Sequence, residues 1–186
     1  MREPSTIDDL FALYEVMGSE HYGEGVTQLD HALQCAALAR ADSVHDALLV
    51  AALFHDVGHL FLDAQDNDGL ELHRNDDRHE TLGARILAPL FGPSVAQPVA
   101  LHVTAKRWLC TREPQYHRLL SRASQATLIA QGGVLSDEEC ERFEARPGFN
   151  DAIALRTWDD AGKVDGLRVS ALRDWEPLVR SVAATR

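Results

Sequence analysis

The sequence predicts an all-α protein with one domain over residues 1–186. Apolar residues recur every three or four positions along most of the chain, which is the period of an amphipathic helix. Alanine and leucine are abundant and favour helices. No long stretch alternates apolar and polar residues as a strand does, so we expect a few short strand-like stretches at most. A chain of this length is expected to bury a substantial core.

The predicted helices begin and end at ordinary boundary residues. Ser5 is expected to cap the first helix, and Ser136 with Glu139 forms a capping box. Gly92 and Pro93 are expected to end the fourth helix. In chain order, the predicted helices cover residues 5–18, 28–41, 46–56, 79–90, 95–109, 114–130, 136–145, 148–161 and 168–182.

Residues 63–78 interrupt the helical pattern with a long, mostly polar segment. A segment of this length without periodicity is uncommon in a compact domain and is usually functional or disordered. Because it separates groups of histidines, we expect a flexible loop that acts as a lid. Simple surface disorder is the alternative.

Composition and charge exclude several classes of function. The net charge of −11 argues against a general nucleic-acid binder, which needs a basic face. The three cysteines are scattered and form no CxxC pair, so we expect reduced thiols in a cytoplasmic protein. We expect no signal peptide and no membrane span, because no apolar run is long enough.

The most informative stretch is the apolar run 47–54, which ends abruptly in His55-Asp56-Val57-Gly58-His59. The apolar residues predict a buried helix. A buried His and Asp without partners are costly, and a divalent transition metal relieves that cost because both side chains are common ligands. A hydrogen-bonded His-Asp pair at a helix end is the alternative.

Other residues of the same chemical type lie within or at the ends of apolar-faced helices. Each histidine taken alone fits an ordinary core residue with a hydrogen-bond partner. Together they form a candidate set of metal ligands: His31, His55, Asp56, His79, His102 and Asp159.

The order His31, then His55-Asp56, then a distant Asp159 resembles the HD-domain metalloprotein superfamily. The resemblance implies an HD-domain helical bundle with a metal-binding core over about 24–163. His79 and His102 mark the dinuclear branch, in which Asp56 bridges two ions. Nitrogen and oxygen ligands without thiolate suit iron or manganese better than structural zinc.

Four further segments are similar to HD oxygenases that cleave the carbon–phosphorus bond of 1-hydroxyphosphonates. They are 24–36, 102–108, 131–133 and 156–163. This resemblance implies a mixed-valence Fe(II)/Fe(III) pair, with substrate chelated to one iron and dioxygen at the other. Two alternatives remain: a metal-dependent phosphohydrolase of the same fold acting on a nucleotide or small phosphate ester, and a non-catalytic module with structural ions.

The resemblance also implies roles for individual residues. Glu24 occupies the open iron site until substrate arrives, with Tyr22 or His21 as its gating partner. His59 faces the substrate rather than the metal. The phosphonate is held by charge-assisted donors, for which arginine is well suited. These substrate-binding residues are Lys106, Arg156, Lys163 and Ser124.

The expected substrates are 1-hydroxy-2-(trimethylammonio)ethylphosphonate and 2-amino-1-hydroxyethylphosphonate, which give phosphate with glycine betaine or glycine. Thr127 stands where members acting on a primary amine carry a longer amide side chain. Its small size favours the trimethylated substrate, and Tyr22, Trp108 and Tyr116 are candidates for an aromatic wall. We therefore expect a small hydroxyphosphonate and dioxygen as partners, without nucleic acid or membrane. The sequence does not predict an oligomeric state.

Overall fold

The computed structural model describes residues 2–21, 25–64 and 78–183. The predicted all-α class is confirmed: within these ranges the extended pairing is limited to one antiparallel bridge between His21 and Thr27. The helices are α1 Ile7–Met17, α2 Gln28–Ala41, α3 Asp46–Phe54, α4 Val57–Asp63, α5 His79–Phe91, α6 Pro93–Arg112, α7 Tyr116–Leu119, α8 Arg122–Ala130, α9 Asp137–Glu144, α10 Phe149–Ala161 and α11 Glu176–Val182, the last preceded by a 3-10 helix at Leu172–Trp175.

Helix α3 is the centre of the main hydrophobic core. Every residue from Leu48 to Phe54 is buried. The Phe54 ring packs edge-on against Tyr14 and stacks on Phe91, with ring centroids 5.4 and 6.3 Å apart. Helices α2, α6, α10 and α11 pack around α3. An apolar helix surrounded in this way is a rigid platform for the residues at its carboxyl end.

The helix predicted over 46–56 ends two residues early, at Phe54. Asp56 has φ −97° and ψ 15°, which leaves the helical region, and α4 then starts at Val57. Just after the break, Gly58 lies against the backbone of His79 at the start of α5. His55 and Asp56 therefore lie at a change of chain direction, where both side chains can face the same interior space.

Helix α6 belongs to two apolar clusters. Val95 and Val99 pack in the main core, whereas Leu101 and Ala105 belong to a second cluster with residues of α9 and α10. Trp108 packs against this second cluster, and its Nε1 donates a hydrogen bond to Glu144 at 2.8 Å. Helix α6 contributes His102 and Lys106 to the candidate site, and each directly follows a residue of the second cluster in the chain, Leu101 and Ala105.

Several predicted boundaries are wrong. The cap of α1 is Thr6, one residue after Ser5, because Thr6 and Asp9 form a capping box. The helix predicted over 114–130 is divided, since Leu120 is extended and Ser121 caps α8. Residues 168–171 precede the last helical segment. The predicted capping box of Ser136 with Glu139 is confirmed.

The predicted loop over 63–78 falls mostly outside the described residues, which resume at Arg78. All three cysteines are free thiols, with Cys35 and Cys140 buried and Cys110 partly exposed. Among the described residues, none of the helices combines the length and apolarity that a bilayer span requires.

Candidate metal centre

The first group of candidate ligands lies between α2, the α3–α4 break and α10. His31 Nε2 is 3.2 Å from His55 Nε2 and 3.6 Å from Asp56 Oδ2. Asp159 Oδ1 lies 3.4 Å from His31 Nε2. All four side chains are buried, the most exposed residues at 3%. Four donors from three parts of the chain therefore point at one small space.

The second group lies between α5 and α6 and faces the other oxygen of Asp56. His79 Nε2 is 3.1 Å from His102 Nε2. Asp56 Oδ1 lies 3.7 Å from His79 Nε2 and 3.8 Å from His102 Nε2. The two oxygens of one carboxylate thus face two histidine pairs, which is the arrangement expected of a carboxylate shared by two ions.

The outer ring nitrogens fix the orientation of three imidazoles. In each, Nδ1 lies within hydrogen-bond distance of a backbone carbonyl: Gly162 for His31 at 2.8 Å, Ala52 for His55 at 2.9 Å and Val99 for His102 at 2.7 Å. A carbonyl only accepts hydrogen bonds, so Nδ1 carries a proton in each ring, and in His55 and His102, whose pKa values are lowered by burial, Nε2 presents a lone pair to the interior. Backbone partners of this kind are typical of metal-bound histidines.

The donor set fits metal ions. Two Nε2 atoms 3.2 Å apart repel each other unless a proton or a metal ion is bound to them. Ligands at right angles around an ion with bonds of about 2.1 Å lie about 3 Å apart, which is close to the spacing within each group. Asp159 Oδ1 is buried and accepts no hydrogen bond from any described residue, which leaves it available to an ion.

The ionisation of the site also favours metal binding. Burial lowers the pKa of His55 and of His102, so both imidazoles are neutral near pH 7. Burial alone would raise the pKa of Asp56 and Asp159, but the imidazoles around Asp56, His55 and His31, and the Arg156 guanidinium beside Asp159 hold both pKa values well below the ordinary range. Neutral imidazoles and ionised carboxylates are the forms that bind metals.

Cys35 lies beside the first group but is a poor ligand. Its Sγ is 3.7 Å from His31 Nδ1, and it lies in a cluster with His31 and His55 whose donor atoms could hold an ion. Burial raises the pKa of the Cys35 thiol, and the thiol donates a hydrogen bond to the Trp158 carbonyl at 3.4 Å. A protonated thiol with a hydrogen-bond acceptor of its own does not compete with imidazole for the metal.

His59 lies against the second group. Its ring stacks on His79 with the centroids 3.7 Å apart, and Asp56, His59 and His79 each place a donor atom within 4.8 Å of the others. His59 is half-buried, whereas His79 is buried. The structure therefore brings His59 to the open side of the second group, and its predicted substrate contact stays a prediction.

A cationic pocket adjoins the first group through Asp159. Arg156 Nη1 donates to Asp159 Oδ2 at 2.6 Å, and Lys163 Nζ lies 3.5 Å from Asp159 Oδ1. Arg156 Nη2 donates to Ser124 Oγ at 3.4 Å. Arg156 and Ser124 are buried, and Lys163 is half-buried. The predicted anion-binding residues thus share one carboxylate with the candidate metal ligands.

Lys106 completes this pocket from α6. Its Nζ donates to Thr127 Oγ1 at 2.9 Å, although the residue is only 2% exposed. Burial, together with the nearby charge of Arg156, lowers the pKa of Lys106 to about 7. A lysine kept in this state has few favourable partners inside the protein, so an anionic ligand would stabilise its charged form.

Arg156 is held by two further residues. Its Nε donates to Tyr116 Oη at 3.0 Å and to Asp160 Oδ2 at 3.1 Å, and its Nη2 donates to Asp160 Oδ1. The Tyr116 hydroxyl donates to Asp160 Oδ2. The sequence suggests Tyr116 only as part of an aromatic wall and assigns no role to Asp160. The signal for Asp160 was its position within the 156–163 motif.

Two predicted residues lie outside the described residues. They are Glu24 and Tyr22, so the predicted gating pair stays a prediction. His21, the other predicted gating partner, is exposed and its backbone pairs with Thr27.

The chain is similar in sequence to known proteins. The sequence model of the HD domain family matches residues 29–130. The chain is 44% identical over 175 residues to a protein of Gimesia maris named hydroxymethylphosphonate dioxygenase, and the match covers 94% of this chain and 87% of that protein. The chain belongs to the HD-domain oxygenases that cleave carbon–phosphorus bonds.

Two other relatives of this HD-domain oxygenase span most of its length. A protein of Leisingera caerulea named [1-hydroxy-2-(trimethylamino)ethyl]phosphonate dioxygenase (glycine-betaine-forming) is 34% identical over 176 residues, 94% of this chain and 88% of its own. An uncharacterised protein of Acanthamoeba polyphaga mimivirus is 35% identical over 161 residues, 85% and 73% of the two chains. The family and the oxygen-dependent activity implied by the sequence resemblance are confirmed, and the family implies a metal cofactor.

Proposed function

We propose that this HD-domain oxygenase uses dioxygen to cleave the carbon–phosphorus bond of a small 1-hydroxyphosphonate, releasing phosphate and a carboxylate. The observation that carries the proposal is the position of Asp159. One of its oxygens lies 3.4 Å from His31 Nε2 in the candidate metal centre, and the other accepts from Arg156 in the cationic pocket. A substrate with a hydroxyl group beside a phosphonate matches that juxtaposition.

The cofactor we assign is a pair of iron ions in the mixed-valence Fe(II)/Fe(III) state. When bound, the pair supplies the one-electron chemistry that a reaction between dioxygen and a carbon centre requires. His31, His55 and Asp159 would hold one ion, and His79 and His102 the other, with Asp56 shared. Six nitrogen and oxygen donors without a thiolate suit iron, although affinity alone does not select it.

The cationic pocket binds and orients the substrate. Lys106, Lys163 and Arg156 neutralise the phosphonate, and Ser124 adds a hydrogen bond. His59 faces the reacting end of the substrate, and Glu24 with Tyr22 or His21 excludes oxygen chemistry until substrate arrives. Arg156 donates to the carboxylates of Asp159 and Asp160, which fix the plane of its guanidinium group. Arg156 therefore orients the phosphonate as well as neutralising part of its charge.

The substrate we place first is hydroxymethylphosphonate, which would yield formate and phosphate. The relative named for it is 44% identical, against 34% for the relative named for the trimethylamino compound, over similar lengths. The aromatic wall expected for a trimethylammonium group has little support among the described residues. Trp108 packs in the second apolar cluster, and the Tyr116 hydroxyl is bound to Asp160.

The other two substrates are 2-amino-1-hydroxyethylphosphonate and 1-hydroxy-2-(trimethylammonio)ethylphosphonate, whose products would be glycine and glycine betaine. Thr127 is small, which favours the trimethylated compound over the primary amine, but its hydroxyl accepts from Lys106 and donates to the Ser124 carbonyl at 3.2 Å. Its size therefore has an explanation within the cationic pocket.

The test starts with anaerobic iron loading, partial oxidation and low-temperature electron paramagnetic resonance, with and without each of the three hydroxyphosphonates. We expect a mixed-valence signal that changes on adding substrate, and phosphate release only when oxygen is admitted. Asp56→Asn should abolish both, whereas Asp137→Asn, on the exposed start of α9, should abolish neither. Phosphate esters cleaved equally well without oxygen would overturn the proposal in favour of a phosphohydrolase.

A further inference from the structure

The side chain of Gln34 on α2 forms two hydrogen bonds with the backbone of Val164, and the proposed reaction gives Gln34 no role. Its Nε2 donates to the Val164 carbonyl at 2.8 Å, and its Oε1 accepts from the Val164 N–H at 2.9 Å. The side chain is only 1% exposed. A buried amide that satisfies both backbone groups of a distant residue fixes the position of that residue closely.

The segment that Gln34 holds lies just beyond the end of α10 and contains Lys163. The cap of α10 is Gly162, so residues 163 and 164 are outside the helix. Residues 164–168 are exposed. The regular hydrogen bonds of α10 therefore do not determine where Lys163 lies, and its position depends on contacts with α2.

Helix α2 holds the same segment at two neighbouring points. His31 Nδ1 donates to the Gly162 carbonyl at 2.8 Å. A Cβ at Gly162 would lie 2.6 Å from Cys35 Sγ, so only glycine allows this approach without rearrangement. One face of α2 thus fixes a metal-site histidine and the backbone on both sides of Lys163.

We propose that Gln34 is a positioning residue for the anionic group of the substrate, acting through Lys163. Its two hydrogen bonds to Val164 hold the Lys163 backbone so that Nζ lies 3.5 Å from Asp159 Oδ1, at the border between cationic pocket and metal centre. Without them the lysine side chain, on a segment that leads directly to solvent, samples positions away from the phosphonate. The identity of the anion as a phosphonate rests on the proposed function.

The experiment compares the iron-loaded enzyme with Gln34→Met, Lys163→Met and the double variant. Methionine keeps the length of glutamine and removes both hydrogen bonds. Anaerobic titration calorimetry measures the Kd of inorganic phosphate, which is the product of either an oxygenase or a hydrolase at this site. We expect each single variant to raise Kd about tenfold, as expected for loss of one charge-assisted contact, with iron content unchanged.

The double variant distinguishes positioning from general stabilisation. If Gln34 acts through Lys163, adding Gln34→Met to Lys163→Met leaves Kd where Lys163→Met alone placed it. Under turnover conditions, the same variants should raise KM for the hydroxyphosphonate. They should change kcat less than threefold, which corresponds to less than about 0.7 kcal/mol in activation free energy. Gln97→Met is the matched control, because that half-buried glutamine packs near Gly148 at the other end of α10.

Two results would overturn the inference. An unchanged Kd in Gln34→Met, or equal effects of Gln34→Met with and without Lys163, overturns the inference. If Gln34→Met does not fold, Gln34→Glu keeps the acceptor for the Val164 N–H and is measured in the same way. If the variants show the expected pattern of phosphate Kd values but the unmodified enzyme has no oxygen-dependent turnover, the role of Gln34 is supported and the proposed function is wrong. If the unmodified enzyme turns over with oxygen but Gln34→Met does not change Kd, the proposed function stands and the inference about Gln34 is wrong.

Discussion

Gly58 lies so close to His79 that no other residue fits at this position without a backbone shift. A Cβ built on Gly58 would overlap the His79 carbonyl oxygen and lie 2.8 Å from its carbonyl carbon. The contact joins α4 to the first residue of α5. It thereby places the second histidine group against the break that carries His55 and Asp56.

The first prediction tests this contact with Gly58→Ala. The added methyl must push α5 away, so we expect a loss of about 1–3 kcal/mol in the free energy of unfolding. Displacement of His79 should also reduce iron from two ions per chain toward one. Denaturant titration and metal analysis check both effects. Gly25→Ala is the control, since a Cβ there meets nothing within 4 Å, and equal losses in both variants would contradict the contact argument.

The second prediction separates the two histidine groups. His102→Ala removes a donor of the second group, next to His79 Nε2 and Asp56 Oδ1, so we expect one ion to be lost and the other retained. Asp56→Asn should lose both, because its two oxygens face different groups. Metal content per chain after dialysis is the measurement, with the exposed His117→Ala as control. Retention of two ions by Asp56→Asn would show that the carboxylate is not shared.

The third prediction concerns pH and Lys106. With its pKa lowered to about 7, Lys106 is cationic below that pH and loses its charge as the pH rises through it. An anionic substrate should therefore bind more weakly above pH 7, with KM rising by up to about tenfold per pH unit until bound substrate no longer restores the charge. The measurement is KM between pH 6 and 9, corrected for ionisation of the substrate.

Lys106→Arg provides the control for that pH dependence. Arginine stays protonated over this range, so the rise in KM should disappear even if KM itself is higher. The same pH profile in Lys106→Arg and in the unmodified enzyme would assign the dependence to another group.

The fold was largely predictable because its signals are local. The apolar period placed α2 over Gln28–Ala41, and the run before His55 was correctly expected to be a buried helix. The sequence also marked the candidate ligands, and the structure places each of them within 4 Å of another member of the set, in two groups. Their roles as ligands stay predictions.

The residues that sequence reasoning missed act across long separations in the chain. Gln34 contacts a residue 130 positions away, and its polar character on α2 resembles that of any surface glutamine. The approach of Gly58 to His79 depends on how α4 meets α5, which no local pattern encodes. The break between α7 and α8 was missed because helical periodicity continues through Leu120, and only the Ser121 cap marks the new start.

The last prediction is that Asp160 orients Arg156 for substrate binding, and that this effect is larger than the repulsion between the Asp160 carboxylate and the anionic substrate. Asp160 binds the Nε and Nη2 edge of the guanidinium, which leaves Nη1 directed at Asp159. Asp160→Asn removes a negative charge from the pocket but also one strong acceptor. Because Asp160 holds this edge of the guanidinium, we expect KM for the hydroxyphosphonate to rise several-fold and stability to fall by about 1 kcal/mol, a value reduced for partial exposure. A lower KM, as expected for a more positive pocket, would contradict this role of Asp160. Asp165→Asn, exposed on the segment after α10, removes the same charge without touching Arg156 and should change KM little in either case.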